Sequence, residues 1–400
     1  MRIVCIGGGP AGLFVSILLK RQNARNQVTV HERNAPHTTF GWGVTFGQDF
    51  LRDLDAADAT VAAEILRQSL SWSSMAMFIN GAAPLFRANS GLAIGRQTLL
   101  DLLTKRANDV GVEIFHQSEI RTPADVPGAD IVVAADGAGS VLRQGHAREF
   151  GANIGIGRNK YVWLGTSRLF EAFTIGFTRT DAGWIWFYAY GFAPGTSTFI
   201  VECAPETWAG LGFDRMGAAE SLRKLEGLFA RELGGHALLS AEEGSPGRLA
   251  WRRFRLVRNR RWSHGNLVLV GDAAHTTHFS IGSGTRLAMQ DAAALAGHLA
   301  REFTVKAALS AYERERRRAM AAPARDARLS AEWLENVPRY AGSDPERFFS
   351  LFLDRRSRIM PWISPEAYGR LDRASRQMPI LQTARDLIAG RRPGRSPDRV

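Results

Sequence analysis

A glycine turn near the start of the chain limits its fold more than any other feature. The turn contains Gly7, Gly9, Pro10, Ala11 and Gly12, with the spacing Gly-x-Gly-x-x-Gly. Residues 2–6 form an apolar strand pattern before it, residues 11–21 indicate a helix, and residues 27–31 alternate like a second strand. This order predicts a βαβ unit of a parallel sheet, with a helix N-terminus that offers free N–H groups to a pyrophosphate.

An acidic residue lies where a dinucleotide site needs one. Glu32 follows Gly12 by 20 residues, at the end of the second predicted strand, and Arg33 stands beside it. This spacing suits a carboxylate that accepts hydrogen bonds from a ribose diol. A glycine-rich turn without a nucleotide is the alternative, but strand, helix and acid are all in place. The glycine fingerprint alone does not distinguish FAD from NAD.

Length and composition narrow the class of protein. The chain has 400 residues, 45% of them hydrophobic, which is enough for a large core and two or three subdomains. Cys5 and Cys203 are too few for a disulfide framework and fit a reducing cytoplasm, and Cys5 is expected in the core. We find no metal-ligand spacing, no nucleic-acid-binding motif and no apolar run of membrane-spanning length. The cysteine usage therefore predicts a cytoplasmic protein, and the sequence leaves its oligomeric state open between a monomer and a homodimer.

The formal net charge is +12, which favours an anionic substrate or partner. Part of this charge is expected to be uninformative. The run Arg314–Arg318 is interpreted as a solvated helix face, and the arginines of residues 391–400 belong to a tail that we expect to be disordered.

Two later motifs favour FAD. Asp136-Gly137-x-Gly139-Ser140-x-x-Arg143 follows an apolar strand pattern, and Gly271-Asp272-Ala273-Ala274-His275 follows another and precedes Gly282-Ser283-Gly284-Thr285. Together with Arg96, in the order found, they resemble the signature of the flavoprotein aromatic hydroxylases, the family typified by para-hydroxybenzoate hydroxylase. Each motif alone has a plainer interpretation, as an Asp-Gly turn or a surface arginine.

The resemblance implies a role for each matched residue. Asp272 would bind the ribityl or ribose part of FAD, and Gly282, Gly284 and Thr285 would offer backbone N–H groups to the flavin and pyrophosphate. Asp136 would lie near the pyrophosphate and serve both FAD and NAD(P)H. Arg96 would face the FAD phosphates from the first turn of a helix.

One loop departs from the broad family pattern. It reads His278-Phe279-Ser280-Ile281-Gly282, without the prolines usual in the family. This variant resembles a subgroup that includes salicylyl-CoA 5-hydroxylase, anthraniloyl-CoA monooxygenases and the tryptophan hydroxylase of violacein biosynthesis. Further segments match the same subgroup: Phe40-Gly41-Trp42-Gly43-Val44, in which Trp42, Gly43 and Val44 are expected at the cofactor, Arg158–Ser167, Ser197–Cys203 and Ser330–Tyr340.

The resemblance implies an FAD-dependent monooxygenase that uses NADH or NADPH and molecular oxygen to hydroxylate an aromatic ring through a flavin C4a-hydroperoxide. An aryl-CoA thioester such as salicylyl-CoA or anthraniloyl-CoA is the preferred substrate, because the loop and the charge both fit it. A free indole or tryptophan-type substrate is the alternative. A non-catalytic flavin-fold binding protein is a remote one.

Several residues are candidates for the substrate pocket. His278 is the candidate catalytic residue, since an imidazole can deprotonate a phenol or aniline; a histidine bonded to the backbone is the alternative. Trp163, Trp186, Tyr188 and Phe279 are predicted to line the pocket, although aromatic residues on strands are also common in cores. Arg158 and Lys160, and the arginines between Arg252 and Arg261, are candidates for binding anions, or belong to solvated faces.

These patterns predict an α/β fold with three parts and a tail. A Rossmann-like FAD-binding domain of the para-hydroxybenzoate hydroxylase type is expected over residues 1–72, 95–154 and 257–330. A mostly antiparallel β substrate domain is expected over residues 73–94 and 155–256. A helical C-terminal segment is expected over residues 331–390, before the tail 391–400.

Overall fold

The computed structural model describes residues 1–39, 41–241 and 247–370. These residues form two compact units. Unit 1 contains Met1–Leu70, Gly91–Gly157 and Arg255–Pro323, and unit 2 contains Ser71–Ser90, the described part of Arg158–Phe254 and residues 324–370. Phe40 and the predicted tail 391–400 lie outside the described residues, as do residues 371–390 of the predicted C-terminal segment. The assignment of three functional domains stays a prediction.

The strands, in chain order, are β1 (Arg2–Ile6), β2 (Gln27–His31), β3 (Gly43–Phe46), β4 (Leu70–Ile79), β5 (Leu85–Gly95), β6 (Glu113–Phe115), β7 (Ile131–Ala134), β8 (Asn153–Thr166), β9 (Phe173–Thr180), β10 (Gly183–Ala193), β11 (Thr196–Cys203), β12 (Leu238–Leu239), β13 (Arg252–Arg258), β14 (Ser263–His264) and β15 (Leu267–Leu269). The strands expected over residues 2–6 and 27–31 are present. The pattern of residues 51–70 predicts a mainly helical segment, but Leu70 at its end begins β4 instead.

The helices are α1 (Pro10–Gln22), α2 (Gln48–Ala57), α3 (Ala59–Arg67), α4 (Arg96–Asp109), α5 (Val141–Gly145), α6 (Ala147–Phe150), α7 (Pro205–Gly210), α8 (Ala218–Leu228), α9 (Ala230–Leu233), α10 (Gly284–Arg301), α11 (Val305–Glu335), α12 (Val337–Tyr340) and α13 (Pro345–Leu353). Short 3-10 turns lie at Pro123–Asp125, Gly271–Ala273, Phe279–Ile281 and Met360–Trp362. Over residues 1–39, 41–241 and 247–370, no helix is long and apolar enough to cross a membrane.

Unit 1 is built on a six-stranded sheet in the order β14-β15-β7-β1-β2-β6. All its neighbouring strands run parallel except β14 and β15. Because β7 and β15 are apolar throughout, they are suited to a sheet that is covered on both faces. Helix α1 is buried from Ala11 to Leu19 and packs against α10 and α4. The parallel order brings the carboxyl ends of the central strands to one edge, where open α/β sheets bind ligands.

Unit 2 contains a largely antiparallel sheet in the order β12-β8-β11-β10-β9-β4-β5, as predicted. The β4 and β9 pair is its parallel exception. Side chains alternate between the two faces of β10. Ile185, Phe187 and Ala189 belong to a buried cluster that also contains side chains of β8, β11, α8 and α9. Trp186 and Tyr188 point to the opposite face.

Aromatic rings fill the unit 2 core at close spacing. The Phe187 ring is stacked on Phe199 at 4.5 Å between centroids and meets the edge of Phe229 at 5.1 Å. Gly176 is the β9 partner of Phe187 and leaves room for its ring. A Cβ at Gly176 would lie 2.1 Å from the ring atom Cε1 of Phe187.

We expect Gly176→Ala to lower the free energy of unfolding by about 1–3 kcal/mol, the usual cost of overpacking a core. The Phe187 ring cannot move away, because Phe199 and Phe229 hold its other sides. Chemical denaturation measures the change. Gly227→Ala is the matched control, since a Cβ there meets no atom within 4 Å. Equal stability of Gly176→Ala and wild type would contradict the argument.

Candidate functional site

The residues predicted at the cofactor lie on neighbouring loops of unit 1. The glycine turn follows β1, Glu32 follows β2, Asp136 follows β7 and Asp272 follows β15. These four strands are adjacent in the sheet, in the order β15-β7-β1-β2. The parallel sheet therefore brings together residues that are up to 265 positions apart in the sequence (from Gly7 to Asp272).

The glycine turn is shaped by close backbone contacts. A Cβ on Gly12 would lie 2.0 Å from the carbonyl oxygen of Gly7, so this position needs glycine. Gly7 has a φ of +107°, and a Cβ there would lie 2.4 Å from the Ala135 carbonyl oxygen. Gly9 differs, because a Cβ on it meets no atom within 4 Å. The turn is thus closed toward the protein and open above Gly9, which fits a backbone that a pyrophosphate approaches.

Glu32 is tied to the glycine turn. Its Oε2 accepts a hydrogen bond from the backbone N–H of Gly8 at 2.7 Å, and its Oε1 accepts from the backbone N–H of Asn34 at 2.9 Å. Oε1 also accepts a second hydrogen bond from Asn34 Nδ2 at 2.6 Å, whereas Oε2 can still accept one more. The carboxylate therefore has capacity at Oε2 for a ribose hydroxyl while it holds the turn. Arg33, also predicted at the cofactor, is exposed.

The two carboxylate oxygens of Asp136 differ in their hydrogen bonding. Its Oδ2 accepts from the backbone N–H of Val141 at 2.8 Å. Its Oδ1 is buried and has no hydrogen-bond partner in the described part of the chain. Burial raises the pKa of Asp136, against hydrogen bonds from Ser140 and the backbone. A buried carboxylate oxygen without a partner is costly, and a hydroxyl of a bound dinucleotide would satisfy it.

Arg96 connects two further predicted segments. Its backbone N–H donates to the carbonyl of Trp42 at 2.7 Å, and its Nε donates to Thr39 Oγ1 at 3.1 Å. Gly43 and Val44 lie in β3, which pairs with the last residues of β5, immediately before Arg96. Desolvation raises the pKa of Asp272, and the charges of His275 and Arg96 oppose this shift. The carboxylate and the guanidinium therefore interact electrostatically.

The remaining predicted segment begins helix α10. Gly282 has a φ of +58°, and its carbonyl accepts a hydrogen bond from Thr45 Oγ1 at 3.4 Å. A Cβ on Gly284 would meet no atom within 4 Å, and Thr285 is half-buried in the first turn of α10. We refer to these glycines, acids and the arginine of unit 1 together as the rim. The rim fits FAD, whose redox chemistry a protein side chain cannot supply.

Sequence reasoning missed a buried acid behind this rim. Asp291 of α10 is fully buried and accepts from the backbone N–H of Gly271 at 3.1 Å. Arg316 donates to the same carboxylate from Nε at 2.7 Å. The interpretation of Arg314–Arg318 as a solvated face is therefore wrong for Arg316, which is buried. The available signal was an acid among the apolar residues Leu287, Ala288, Met289 and Ala292.

His278 caps the turn that contains Phe279. Its Nδ1 lies 2.8 Å from Ser280 Oγ and accepts from the Ser280 backbone N–H at 3.3 Å. The ring stacks on Phe279 with 4.3 Å between centroids. This geometry matches the plainer alternative for His278, a histidine bonded to the backbone. A neutral ring that accepts at Nδ1 carries its proton on Nε2. Its catalytic role stays a prediction.

Two predicted substrate-binding residues converge on a buried acid in unit 2. Trp186 Nε1 donates to Glu202 Oε2 at 3.2 Å, and the Tyr188 hydroxyl donates to the same oxygen at 3.3 Å. Asn159 Nδ2 donates to Oε1 at 2.8 Å. Burial raises the pKa of Glu202 to about 7, although these hydrogen bonds oppose the shift. Sequence reasoning noted the segment containing Glu202 without assigning it a role.

Trp186 also lines a cavity of about 270 Å³ in unit 2. Its apolar wall includes Trp184, Leu334, Val337 and Pro338. Trp163, the third predicted substrate residue of this unit, is half-buried, and its buried Nε1 has no acceptor among residues 1–39, 41–241 and 247–370. An indole N–H in this state has hydrogen-bonding capacity for a ligand.

The cationic candidates have different surroundings. Arg158 pairs with Glu206 at 2.9 Å, and its backbone N–H donates to Glu335 Oε1 at 2.7 Å. Lys160 lies over the Trp208 ring, 4.2 Å from its centroid. Six arginines in and just after β13 are exposed: Arg252, Arg253, Arg255, Arg258, Arg260 and Arg261. Over the described ranges, no cluster of three or more His, Cys, Asp or Glu side chains could hold a metal ion.

Comparison with known proteins places this chain in one family. Residues 239–327 match the family described as FAD binding domain. Salicyloyl-CoA 5-hydroxylase of a Streptomyces species is 38% identical over 366 residues, which are 89% of this chain and 70% of the relative. The 3-hydroxy-4-methyl-anthranilyl-(aryl-carrier protein) 5-monooxygenase of Streptosporangium sibiricum is 36% identical over 84% of this chain and 90% of its own length. The chain belongs to the FAD-dependent aromatic monooxygenases.

Further comparisons agree with this assignment. Protodeoxyviolaceinate monooxygenase of Chromobacterium violaceum is 32% identical over 92% of this chain and 98% of its own length. The solved structure of 2-methyl-3-hydroxypyridine-5-carboxylic acid oxygenase has a TM-score of 0.64 at 21% identity and covers 89% of this chain and 96% of its own. The predicted fold class is confirmed, as are the subgroup and FAD as the cofactor.

The Gly9→Ala substitution tests cofactor binding separately from folding. We expect Gly9→Ala to keep the stability of the apoprotein, because its methyl group meets no protein atom, and to weaken FAD binding by about tenfold or more, because that group enters the space above the turn. Fluorescence titration of apoprotein with FAD measures the affinity. Gly12→Ala is the contrasting variant and is expected to destabilise the apoprotein itself. Unchanged FAD affinity of Gly9→Ala would contradict the proposed site.

The raised pKa of Glu202 makes stability depend on pH. A carboxyl whose pKa is higher in the folded state stabilises the fold when protonated, and this contribution is lost as pH rises through the folded pKa of about 7. The free energy of unfolding is therefore expected to fall between about pH 4.5 and pH 8, by up to ~3 kcal/mol. Denaturation at several pH values should show a flatter dependence for Glu202→Gln, but the wild-type dependence for the exposed control Glu171→Gln. Equal slopes for all three would refute this assignment.

Proposed function

We propose that this enzyme hydroxylates the aromatic ring of an aryl thioester, using NADH or NADPH to reduce its FAD and molecular oxygen as the oxygen donor. Salicylyl-CoA and anthraniloyl-CoA represent the substrate class. The main support is the relationship to salicyloyl-CoA 5-hydroxylase, at 38% identity over 89% of the chain. A second relative acts on an aromatic ring attached to an aryl-carrier protein, and it is 36% identical over 84% of the chain.

The charge of the molecule also supports an anionic carrier. The net charge is +12, and six exposed arginines lie within residues 252–261. Coenzyme A carries phosphates, and carrier-bound substrates present a phosphopantetheine group, so either would be attracted over a long range. Arginine also binds phosphate through paired N–H donors. A free indole carries no such charge.

A free indole-type substrate remains the second candidate. Its support is the similarity to protodeoxyviolaceinate monooxygenase, which is 32% identical over 92% of this chain. A free indole-type substrate would give the arginines of β13 no role in substrate binding. The two candidates differ in the handle attached to the ring, and this difference is what the experiment must resolve.

The proposed substrate-binding residues are Trp163, Trp186, Tyr188 and Phe279. We further propose that His278 accepts the proton of a phenol or aniline at Nε2 in the tautomer whose Nδ1–H donates to Ser280 Oγ at 2.8 Å, and that the His278 ring becomes an imidazolium. Loss of that proton would make the ring more nucleophilic toward the oxygen donor. The protein must also exclude water from the flavin during this step.

A panel of substrates tests the proposal. Oxidation of NADH and of NADPH is measured with aryl-CoA thioesters, the matching free acids and indoles, and the mass of each product is determined. We expect an increase of 16 Da (one oxygen atom) for a thioester and little turnover of its free acid. Turnover of free tryptophan or indole and of no thioester would refute the thioester proposal. In the same assay, His278→Asn is expected to turn over phenolic substrates more slowly than wild type at pH values where the phenol is still protonated, and an unchanged rate there would remove His278 from the mechanism.

A further inference from the structure

A buried ionic cluster lies directly behind the turn that carries Asp272. We propose that Asp291, held by Arg316, is a positioning residue for the cofactor: it fixes the turn Gly271–His275, and that turn places the Asp272 carboxylate. The inference rests on the proposed role of Asp272 in binding FAD. It assigns a role to two residues that do not belong to the sequence motifs described above.

Asp291 holds the turn at both of its ends. Its Oδ2 accepts from the Gly271 backbone N–H at 3.1 Å and contacts His275 Nε2 at 2.7 Å. Its Oδ1 accepts from Arg316 Nε at 2.7 Å. The Asp291 carboxylate thus joins the first and the last residue of the turn through Oδ2, and Arg316 orients the carboxylate through Oδ1. Hydrogen bonds to an ionised group are the strong class of such bonds.

The cluster is buried and carries charge. Asp291 is fully buried and Arg316 is 7% exposed. His275 and Arg316 lower the pKa of Asp291 against the effect of burial, so the carboxylate stays ionised. Removal of one partner from a buried ion pair strongly destabilises the fold, because the other charge then remains buried without compensation. The arrangement therefore has little freedom to shift, and this rigidity is passed on to the turn.

The position of Asp272 depends on this backbone. In the described ranges, no hydrogen bond from another residue holds the Asp272 carboxylate, whereas the backbone around it is fixed on several sides. Asn259 Nδ2 donates to the Ala274 carbonyl at 2.6 Å, and Arg143 donates to the Ala273 carbonyl at 3.0 Å. These contacts satisfy carbonyl groups, while Asp291 receives the Gly271 N–H. Asp272 is placed by its turn rather than by hydrogen bonds to its own carboxylate.

The helix that supplies Arg316 also offers a matched control. One turn earlier, Glu313 Oε2 accepts from the Trp262 backbone N–H at 3.0 Å and from the Ser263 backbone N–H at 3.2 Å. Glu313 thus anchors α11 to the start of β14, and in the described part of the chain it has no hydrogen bond or ion pair to the turn. A merely structural role of Asp291 would resemble that of Glu313, and a positioning role would affect FAD binding in addition.

The test is a double-mutant cycle on FAD affinity, read by titration of the apoproteins. We expect Asp291→Asn and Asp272→Ala each to weaken FAD binding by about tenfold or more, equivalent to ~1.4 kcal/mol per tenfold. Because Asp291 acts through Asp272, adding Asp291→Asn to Asp272→Ala should change the affinity less than about twofold. Glu313→Gln is expected to lower the melting temperature of the apoprotein and to leave FAD affinity within about twofold of wild type.

The outcomes separate this inference from the proposed cofactor site. Additive effects of the two substitutions, or wild-type affinity of Asp291→Asn, would overturn the positioning role while Asp272 keeps its assignment. Wild-type affinity of Asp272→Ala would overturn both. If Asp291→Asn fails to fold, Arg316→Lys and Arg316→Gln replace it in the cycle, and the lysine variant should retain more FAD affinity than the glutamine variant. Equal affinities of these two would count against the inference.

Discussion

The contact between the backbones of Gly7 and Gly12 is the constraint on which the FAD-binding unit depends. Helix α1 can start immediately after β1 because no side chain stands between the Gly12 Cα and the Gly7 carbonyl, where a Cβ would be only 2.0 Å away. The short connection places α1 against the sheet, where its residues from Ala11 to Leu19 are buried. It also leaves the helix N-terminus uncovered at the edge where β2, β7 and β15 end. The proposed cofactor site follows from this single close approach.

Local patterns in the sequence were sufficient to predict this part of the molecule. The βαβ unit, Glu32 and the two Asp-Gly motifs depend on residues close to one another in the chain, and the parallel order of strands then brings the motifs together. The sequence-based element boundaries differ from the structure by a few residues, as at Leu70, which begins a strand. Propensity at such a position is overruled by strand pairing, which the local sequence does not encode.

The residues that support the site were harder to predict. Asp291 and Arg316 are 25 positions apart, and each is ordinary in its own helix until their pairing is known. Arg316 lies in a run of charged residues that resembles a solvated face, and only its partner explains its burial. Glu202 is similar, since the donors Asn159, Trp186 and Tyr188 come from two other strands. Buried polar groups require partners, but the sequence does not say which distant residues provide them.

The two cysteines have a consequence for how this molecule can be observed. Cys5 lies in β1 of unit 1 and Cys203 in β11 of unit 2, and both are buried. Burial raises the pKa of Cys5 to about 12, and burial also raises the pKa of Cys203. The thiolate is the reactive form of cysteine, so neither sulfur reacts with an alkylating reagent while its unit is folded. Each unit therefore contains one cysteine whose labelling rate measures how often that unit unfolds locally and exposes the sulfur.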